Sequence, residues 1–362
     1  MDNRIGVSRP AQILMTVAAL VVVVAGMRAG KAIIVPFLLA AFIAIISAPP
    51  LFWLRRRRIP SGISLVIVMG GVVSIAVVMA GLVGSSVNDF TGKLPVYQTK
   101  LSQQTASVAS LLGKIGLDVS TIDFNEILNA GAAMKLVATV LNELGGVLTN
   151  GFLIFLTVIF MLLEASSIPD KFHAISPDPE PSLARLHTVS TNVNRYMALK
   201  TWVSLATGGL VAAFLGLLGV DYPLLWGLFA FLLNYIPSIG SILAAIPAVL
   251  LAIVQYGLLR GLVVAGGYVI INLVMGNVIE PRFMGKGLGL STLVVFLSLL
   301  IWGWILGPVG MLLSVPLTMT VKIALESSEE TRWISVLLGP AQEVSRKSTQ
   351  ARGTVLKRSE RK

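Results

Sequence analysis

Runs of about 20 consecutive apolar residues recur along this sequence, from residue 11 to residue 324. A helix of about 20 mostly apolar residues has the length needed to cross the hydrocarbon core of a bilayer. A water-soluble fold cannot bury so much apolar surface, because 55% of the 362 residues are hydrophobic and only 12% are charged. The sequence therefore predicts an all-α, polytopic transmembrane protein with about 8 helical spans, within a range of about 7 to 10.

The positive charges of the chain indicate its orientation in the bilayer. A formal net charge of +11 is also typical of nucleic-acid-binding proteins, but the basic residues gather at the ends of the apolar runs and in the C-terminal tail. Four consecutive arginines, Arg55 to Arg58, adjoin the second run and mark a cytoplasmic loop under the positive-inside rule. The predicted partner is thus the lipid bilayer and no nucleic acid, with both termini cytoplasmic.

The sequence offers few residues for enzymatic chemistry. It contains no cysteine and only two histidines, and it has neither a Walker A sequence nor an HExxH motif. We therefore predict no enzymatic activity, no metal site and no cofactor.

The apolar runs and the polar stretches between them divide the chain into five parts. We predict the first three transmembrane helices in residues 1–87, an outside extramembrane helical segment in 88–146, a fourth helix plus a cytoplasmic interfacial helix in 147–199, a transport core in 200–325, and a basic cytoplasmic tail in 326–362. One face of the extramembrane segment is apolar and includes Leu94 and Tyr97. An apolar helix face is expected to pack against another surface. The candidates are the rest of the segment, the lipid surface and a neighbouring subunit.

Proline and glycine interrupt two apolar stretches of the core, residues 224–255 and 294–322. When Gly240 is aligned with Gly310, the two stretches carry their interruptions in the same order, which indicates a weak internal repeat. Since proline removes a helical hydrogen bond and glycine permits unusual backbone shapes, each stretch is predicted to form two short spans or a re-entrant hairpin. The residues predicted to shape the broken helices are Pro237, Gly240, Pro247, Pro281, Pro308, Gly310 and Pro316.

The two interrupted stretches are predicted to face opposite ways, because one ordinary span separates them. Inverted pairs of interrupted helices are typical of transporters that bind their solute near the membrane midplane. Glycine and proline are also common in ordinary membrane helices, which is the alternative explanation.

Polar residues within this core are the candidates for a functional site. Glu280 and Arg282 flank Pro281, which is expected to end a helix, and the two charges could pair with each other, pair with other helices, or fix the end of the span at the interface. We predict that they gate the solute or couple its movement to an ion. Asn234, Asn272 and Asn277 supply neutral hydrogen-bonding groups suited to a small polar solute, although each could equally join two helices.

These motifs resemble those of the autoinducer-2 exporter family of bacterial membrane transporters. The resemblance rests on residues 234–247, on Glu280-Pro281-Arg282 with residues 285–292, and on Trp302-Gly303-Trp304 with the segment that continues to Pro316. Within that family the similarity is greatest to the exporter of the quorum-sensing signal. Specific matching covers about a third of the chain, residues 195–325, and the N-terminal half agrees in layout.

The resemblance implies a protein of the bacterial cytoplasmic (inner) membrane that exports autoinducer-2 and forms a homo-oligomer, with a pentamer among the expected states. Other members of the family are credited with sodium/proton exchange, so coupling to H⁺ or Na⁺ is implied as well. Three functions stay open from the sequence: export of a small polar signal, sodium/proton antiport, and a non-transporting membrane sensor or scaffold.

Overall fold

The structure is a computed structural model that describes residues 9–114, 151–165, 171, 174, 180–237, 239–284, 289–326 and 329–340. Over these residues the fold is all-helical. Five helices are long and apolar enough to cross a membrane: Lys31–Arg56, Ser61–Lys93, Thr191–Leu217, Leu258–Phe283 and Pro308–Glu326. Five shorter apolar helices accompany them, so the described residues fit a chain that crosses a bilayer several times.

The helices are numbered here in chain order. They are α1 (Arg9–Ala29), α2 (Lys31–Arg56), α3 (Ser61–Lys114), α4 (Gly151–Glu164), α5 (Glu180–Leu217), α6 (Pro223–Leu233), α7 (Gly240–Tyr256), α8 (Leu258–Asn272), a π-helical segment (Leu273–Ile279), α9 (Glu280–Met284), α10 (Thr292–Leu306), α11 (Pro308–Glu326) and α12 (Arg332–Leu338). They form two compact units, residues 44–290 and residues 1–43 with 291–362.

Two helices are longer than the sequence suggests. The third span continues without a break into the predicted extramembrane segment, as the single helix α3 of 54 residues. The predicted interfacial helix before Lys200 is likewise the first part of α5, which has 38 residues. Residues 183–206 contain neither glycine nor proline, so nothing interrupts the helical hydrogen bonds at the expected boundary. The rest of the predicted segment, residues 115–146, and the tail from residue 341 lie outside the described residues.

In the larger unit, α5 and α6 run against each other in close contact. A Cβ atom added at Gly208 would lie 2.6 Å from the carbonyl oxygen of Gly227, and one added at Gly227 would lie 2.6 Å from the carbonyl oxygen of Gly208. The two backbones therefore touch, as small residues allow in membrane helices. Helices α7 and α8 complete a core that includes Trp226, which is 1% exposed.

The first interrupted stretch is a pair of short helices joined by a turn. Helix α6 ends at Leu233 and α7 begins at Gly240. A Cβ atom added at Gly240 would lie 1.8 Å from the carbonyl oxygen of Leu233, so the turn closes only with glycine at this position. The second expected interruption is absent, because α7 continues through Pro247 to Tyr256.

The second interrupted stretch, in the smaller unit, has a similar construction. Helices α10 and α11 meet at Gly307, whose φ of 74° favours glycine, and Pro308 opens α11. A Cβ atom added at Gly310 would lie 2.0 Å from the carbonyl oxygen of Trp302, so the two aligned glycines fill the same packing role. Helix α11 also continues through its internal proline, Pro316.

Within this unit, two basic residues lie at the turn between α10 and α11. The guanidinium of Arg28 stacks 4.6 Å from the centre of the Trp304 ring, and a Cβ atom added at Gly307 would lie 2.7 Å from Nζ of Lys31. Since Arg28 and Lys31 flank the turn between α1 and α2, the α10–α11 turn reaches the same level as the end of α1.

Candidate functional site

A buried ion pair joins α5 to the start of α9. Nζ of Lys200 lies 2.8 Å from Oε1 and 2.9 Å from Oε2 of Glu280. Lys200 is only 4% exposed, and the Glu280 side chain is 19% exposed. The ammonium therefore bridges both carboxylate oxygens in a site from which solvent is largely excluded.

Burial makes this pair costly unless it stays intact. Removing either partner from a buried pair leaves an uncompensated charge, which costs about 3–5 kcal/mol in soluble proteins. Ionisable groups inside membrane helices are rare and are concentrated on solute and proton pathways. The Lys200–Glu280 pair is accordingly the strongest functional candidate among the described residues.

A change of helix type positions Glu280 for this contact. Residues Leu273–Ile279 form a π-helical segment of 7 residues, and α-helix resumes at Glu280. Short π segments are frequent at functional sites. The expectation that Pro281 ends the helix was wrong, since α9 continues to Met284. Pro281 lies in a helix that continues from the π segment without a gap, so it removes one helical hydrogen bond there without ending the helix. The departure from α geometry precedes the proline.

The turn between α6 and α7 lies against the same part of α5. The amide of Asn234 donates to Oγ of Ser204 at 3.0 Å. The hydroxyls of Tyr235 and Thr201 are 2.7 Å apart, and that of Thr201 donates to the carbonyl of Met197. Both side chains of α5 follow Lys200 within about one helical turn. The interrupted helix and the ion pair are therefore parts of one polar cluster in the larger unit.

The other sequence-predicted polar residues lie along the helical stretch that runs from α8 to α9. Asn272 ends α8, directly before the π segment, and Asn277 lies within the segment and is exposed. Glu280 pairs with another helix, as one of the sequence alternatives allowed, and its partner is Lys200 rather than Arg282. The Arg282 side chain is exposed.

The cluster lies toward one end of the apolar parts of its helices. Lys200 is roughly 25 Å along α5 from its last residue, Leu217, and Glu280 is more than about 30 Å from the start of α8 at Leu258. These distances approach the roughly 30 Å thickness of a hydrocarbon core. The polar cluster thus lies near one end of the apolar stretches that follow Lys200 and precede Glu280.

A comparison with known proteins decides the family. The model of a family described as AI-2E family transporter matches residues 15–330. The chain belongs to the AI-2E family of transporters. The match includes all of the helices from α2 to α11, and so extends well beyond the third of the chain on which the motif resemblance rested.

Several relatives cover nearly the whole of this AI-2E family member. The AI-2 transport protein TqsA of Escherichia coli is 44% identical over 327 residues, which cover 90% of this chain and 95% of TqsA. A protein of Haemophilus influenzae named only as a transport protein is 41% identical over 349 residues, or 95% of this chain and 99% of the relative. Transport protein YhhT of E. coli is 37% identical over 334 residues, or 92% and 96%. Membership in a family of transporters decides against an enzyme and against the non-transporting sensor or scaffold.

A second polar cluster of this AI-2E family member centres on Asp221, in the loop before α6. The Tyr97 hydroxyl, on α3, donates to Oδ2 of Asp221 at 2.6 Å, and Nζ of Lys93 lies 3.4 Å from the same oxygen. The Asp221 backbone N–H donates to Oε1 of Gln255, and its carbonyl accepts from Nε1 of Trp226. Burial raises the pKa of Tyr97, so its hydroxyl remains a donor. Tyr97, on the predicted apolar face, is therefore covered by the transporter's own core.

Replacing Tyr97 with phenylalanine should lower the free energy of unfolding by about 1.5 kcal/mol, the lower end of the range for a hydrogen bond to a charged group, because Asp221 is partly solvated. Chemical denaturation of the purified protein in detergent measures the change. In a cycle with Asp221→Asn, the double variant should be clearly less destabilised than the sum of the single variants. Full additivity would contradict a direct bond.

Sequence reasoning missed two members of the main cluster, Lys200 and Tyr235. Lys200 stands at the start of an apolar run, where a lysine is typical of an ordinary interfacial residue. A signal was nevertheless present. Lys200 precedes one predicted span and Glu280 follows another that runs in the opposite direction, so the two opposite charges are expected on the same side of the membrane.

Proposed function

We propose that this AI-2E family member is a secondary exporter of a small polar signal, autoinducer-2, across the bacterial cytoplasmic membrane. The observation that carries the proposal is the buried Lys200–Glu280 pair beside the interrupted helix α6–α7, in a chain 44% identical to an AI-2 transport protein. Interrupted helices and buried charges occur together in secondary transporters, where they line the path of the solute.

The mechanism we propose is alternating access around the interrupted helices. Asn234, Asn272 and Asn277 contact the solute, and the turn of Pro237 and Gly240 lets α6 and α7 move relative to α5. Asn234 exchanges its bond with Ser204 for one with the solute, so little hydrogen bonding is lost. In the second stretch, Pro308 and Gly310 shape the corresponding turn.

Glu280 and Lys200 are the proposed coupling elements, with the exposed Arg282 as a gate at the adjacent surface. A proton or Na⁺ that binds the carboxylate competes with the ammonium for it, which releases α9 from α5. The pair therefore links ion binding to the packing of the helices that carry the solute contacts.

The same pair also supports the second candidate function, a sodium/proton antiporter in which Glu280 carries the proton. The exporter predicts movement of autoinducer-2, whereas the antiporter predicts a sodium-driven pH change without it. We further propose that both termini are cytoplasmic and that the transporter is a homo-oligomer, for which a pentamer is the state to test.

Reconstitution into liposomes tests the proposal. We expect the purified protein to release trapped autoinducer-2 under a proton or sodium gradient, and Glu280→Gln to reduce the initial rate by at least about tenfold, because a neutral amide can neither be titrated nor balance the ammonium. Asp89→Asn, at an exposed site on α3, is the control and should leave the rate unchanged. If the wild-type protein moves no signal under any gradient, the export proposal fails; a sodium-driven pH change lost in Glu280→Gln favours the antiporter.

A further inference from the structure

Tyr268, on α8, carries a buried hydroxyl near the middle of the candidate span Leu258–Phe283. The residue is 5% exposed and belongs to the apolar core of the larger unit. Within the part of the chain that the structure describes, its hydroxyl has no hydrogen-bond partner. Buried polar groups are nearly always bonded, and leaving one unbonded costs about 1–3 kcal/mol. This hydroxyl therefore calls for a function that an ordinary core tyrosine does not have.

Helix α7, the neighbour of α8, presents a backbone acceptor in the same region. Pro247 lies inside α7 and has no N–H, so it cannot donate to the carbonyl of Leu243, its partner in a regular α-helix. A phenol and a backbone carbonyl that lacks its usual donor form a pair suited to a hydroxyl group, which both donates and accepts.

The register of the two helices brings these groups to one level. α7 and α8 are antiparallel and meet at Gly257, and a Cβ atom added at Gly261 would lie 2.2 Å from Cγ1 of Ile253. Counting equally along both helices from this contact places Tyr268 level with Ile246, the residue before Pro247. The level is about 15 Å from the start of α8, which is the middle of the span.

The buried face of α7 is rich in small side chains, with Leu251 as its large residue. Ala244, Ala248 and Ala252 follow each other at intervals of four residues, and all three are fully buried. Small side chains at a helix interface let the neighbouring backbone approach closely, so the core around α7 is tightly packed in this conformation. A solute could reach the Tyr268 hydroxyl only after α7 moves.

We propose that Tyr268 and the Leu243 carbonyl form a mid-span binding site for a small, uncharged, hydroxyl-bearing solute, occluded in the present conformation. The site deepens the proposed function and rests on it for the identity of the solute, autoinducer-2. It lies about 18 Å along the helix from Glu280, so it is a second solute contact, separate from the proposed contact at Asn234 beside the ion pair.

Tyr268→Phe tests the site because it removes only the oxygen. In proteoliposomes we expect the variant to raise the KM for autoinducer-2 efflux by roughly 3- to 10-fold, the loss of one neutral hydrogen bond. Its thermal midpoint without solute should be unchanged or higher, because an unbonded buried hydroxyl contributes no stability. An unchanged KM, or a midpoint that falls as it does for a bonded tyrosine, overturns the proposal.

Tyr256→Phe is the matched control, since the Tyr256 hydroxyl donates to the Gly219 carbonyl at 2.6 Å. This variant should lower the thermal midpoint and leave KM unchanged.

A binding measurement tests the Tyr268 site independently of the identity of the transported solute. The thermal midpoint of detergent-solubilised protein is measured with autoinducer-2 and with ribose, a hydroxyl-bearing probe. A probe that raises the thermal midpoint of the wild type, and raises that of Tyr268→Phe less, supports the site. This result would support the site even if the wild type exports no autoinducer-2 and the proposed cargo is wrong. If neither probe distinguishes the two proteins, the site is wrong, whatever the flux assay shows.

Discussion

Lys200→Met is expected to abolish transport and to destabilise the protein by about 3–5 kcal/mol. Methionine keeps much of the length and apolar volume of the lysine side chain but removes the charge. The Glu280 carboxylate, 2.8 Å from the lysine nitrogen, then remains in a poorly solvated site without its counter-charge. The expected loss is therefore electrostatic and owes little to packing. Thermal denaturation in detergent and flux in proteoliposomes measure the two effects.

A matched control for this substitution is Lys93→Met. Lys93 also pairs with a carboxylate, Asp221 at 3.4 Å, but the two side chains are 52% and 33% exposed. Exposed pairs contribute about 0–1 kcal/mol, so the same chemical change should have little effect there. Equal losses at Lys93 and Lys200 would show that burial does not set the strength of the interaction.

The double variant Lys200→Met/Glu280→Gln separates a structural role from a functional one. With both charges removed, no charge is stranded, and much of the lost stability should return. Transport should not return, because the proposed coupling needs a group that binds and releases an ion. A double variant that transports at the wild-type rate would show that the pair only joins α5 to α9.

Gly240→Ala is expected to cost about 3 kcal/mol and to reduce transport strongly. The new methyl carbon would lie 1.8 Å from the carbonyl oxygen of Leu233, a backbone atom that cannot rotate away as a side chain can. The turn between α6 and α7 must therefore open, and overpacking of this kind typically costs about 1–3 kcal/mol. Opening the turn also displaces Asn234 and Tyr235 from α5, so the polar cluster should lose its geometry.

Gly266→Ala supplies the contrast, since a Cβ atom there meets nothing within 4 Å. Alanine in a helix interior is favoured over glycine by about 1 kcal/mol, so this variant should be as stable as the wild type or more so. The two substitutions are chemically identical and should change stability in opposite directions. Loss of stability in both would indicate that the helices tolerate no added carbon anywhere.

Gly310→Ala extends the test to the second interrupted stretch, where the added carbon would lie 2.0 Å from the Trp302 carbonyl oxygen. A loss similar to that of Gly240→Ala is expected if the two aligned glycines have equivalent roles.

The sequence predicted the class of fold and the positions of the two interruptions because both depend on local physics. Length and apolarity set the spans, and the glycine and proline at the α6–α7 and α10–α11 turns act on their own backbone. Pro247 and Pro316 misled the prediction of second breaks. A proline inside a membrane helix removes one hydrogen bond without ending the helix when the neighbouring helices support it.

The partner of Glu280 could not be derived in the same way. Lys200 and Glu280 are far apart in sequence, and their pairing depends on how α5 packs against α9. The π segment before Glu280 was also hidden, since residues 273–279 read as an ordinary apolar helix. The unbonded hydroxyl of Tyr268 is a property of its surroundings, which a single sequence does not describe. Pairing across helices and satisfaction of buried groups are the features that needed the structure.

The continuity of α5 connects the ion pair to a distant part of the protein through a single helix. As one helix of 38 residues, about 57 Å long, it has Lys200, Thr201 and Ser204 near its centre, and its first part extends beyond the candidate span at Thr191–Leu217. A helix without an internal break transmits rotation along its whole length. A spectroscopic label near the first residue of α5 would lie about 30 Å along the helix from Lys200. A change in its signal when an ion binds would show that movement at the ion pair reaches the far end of the helix.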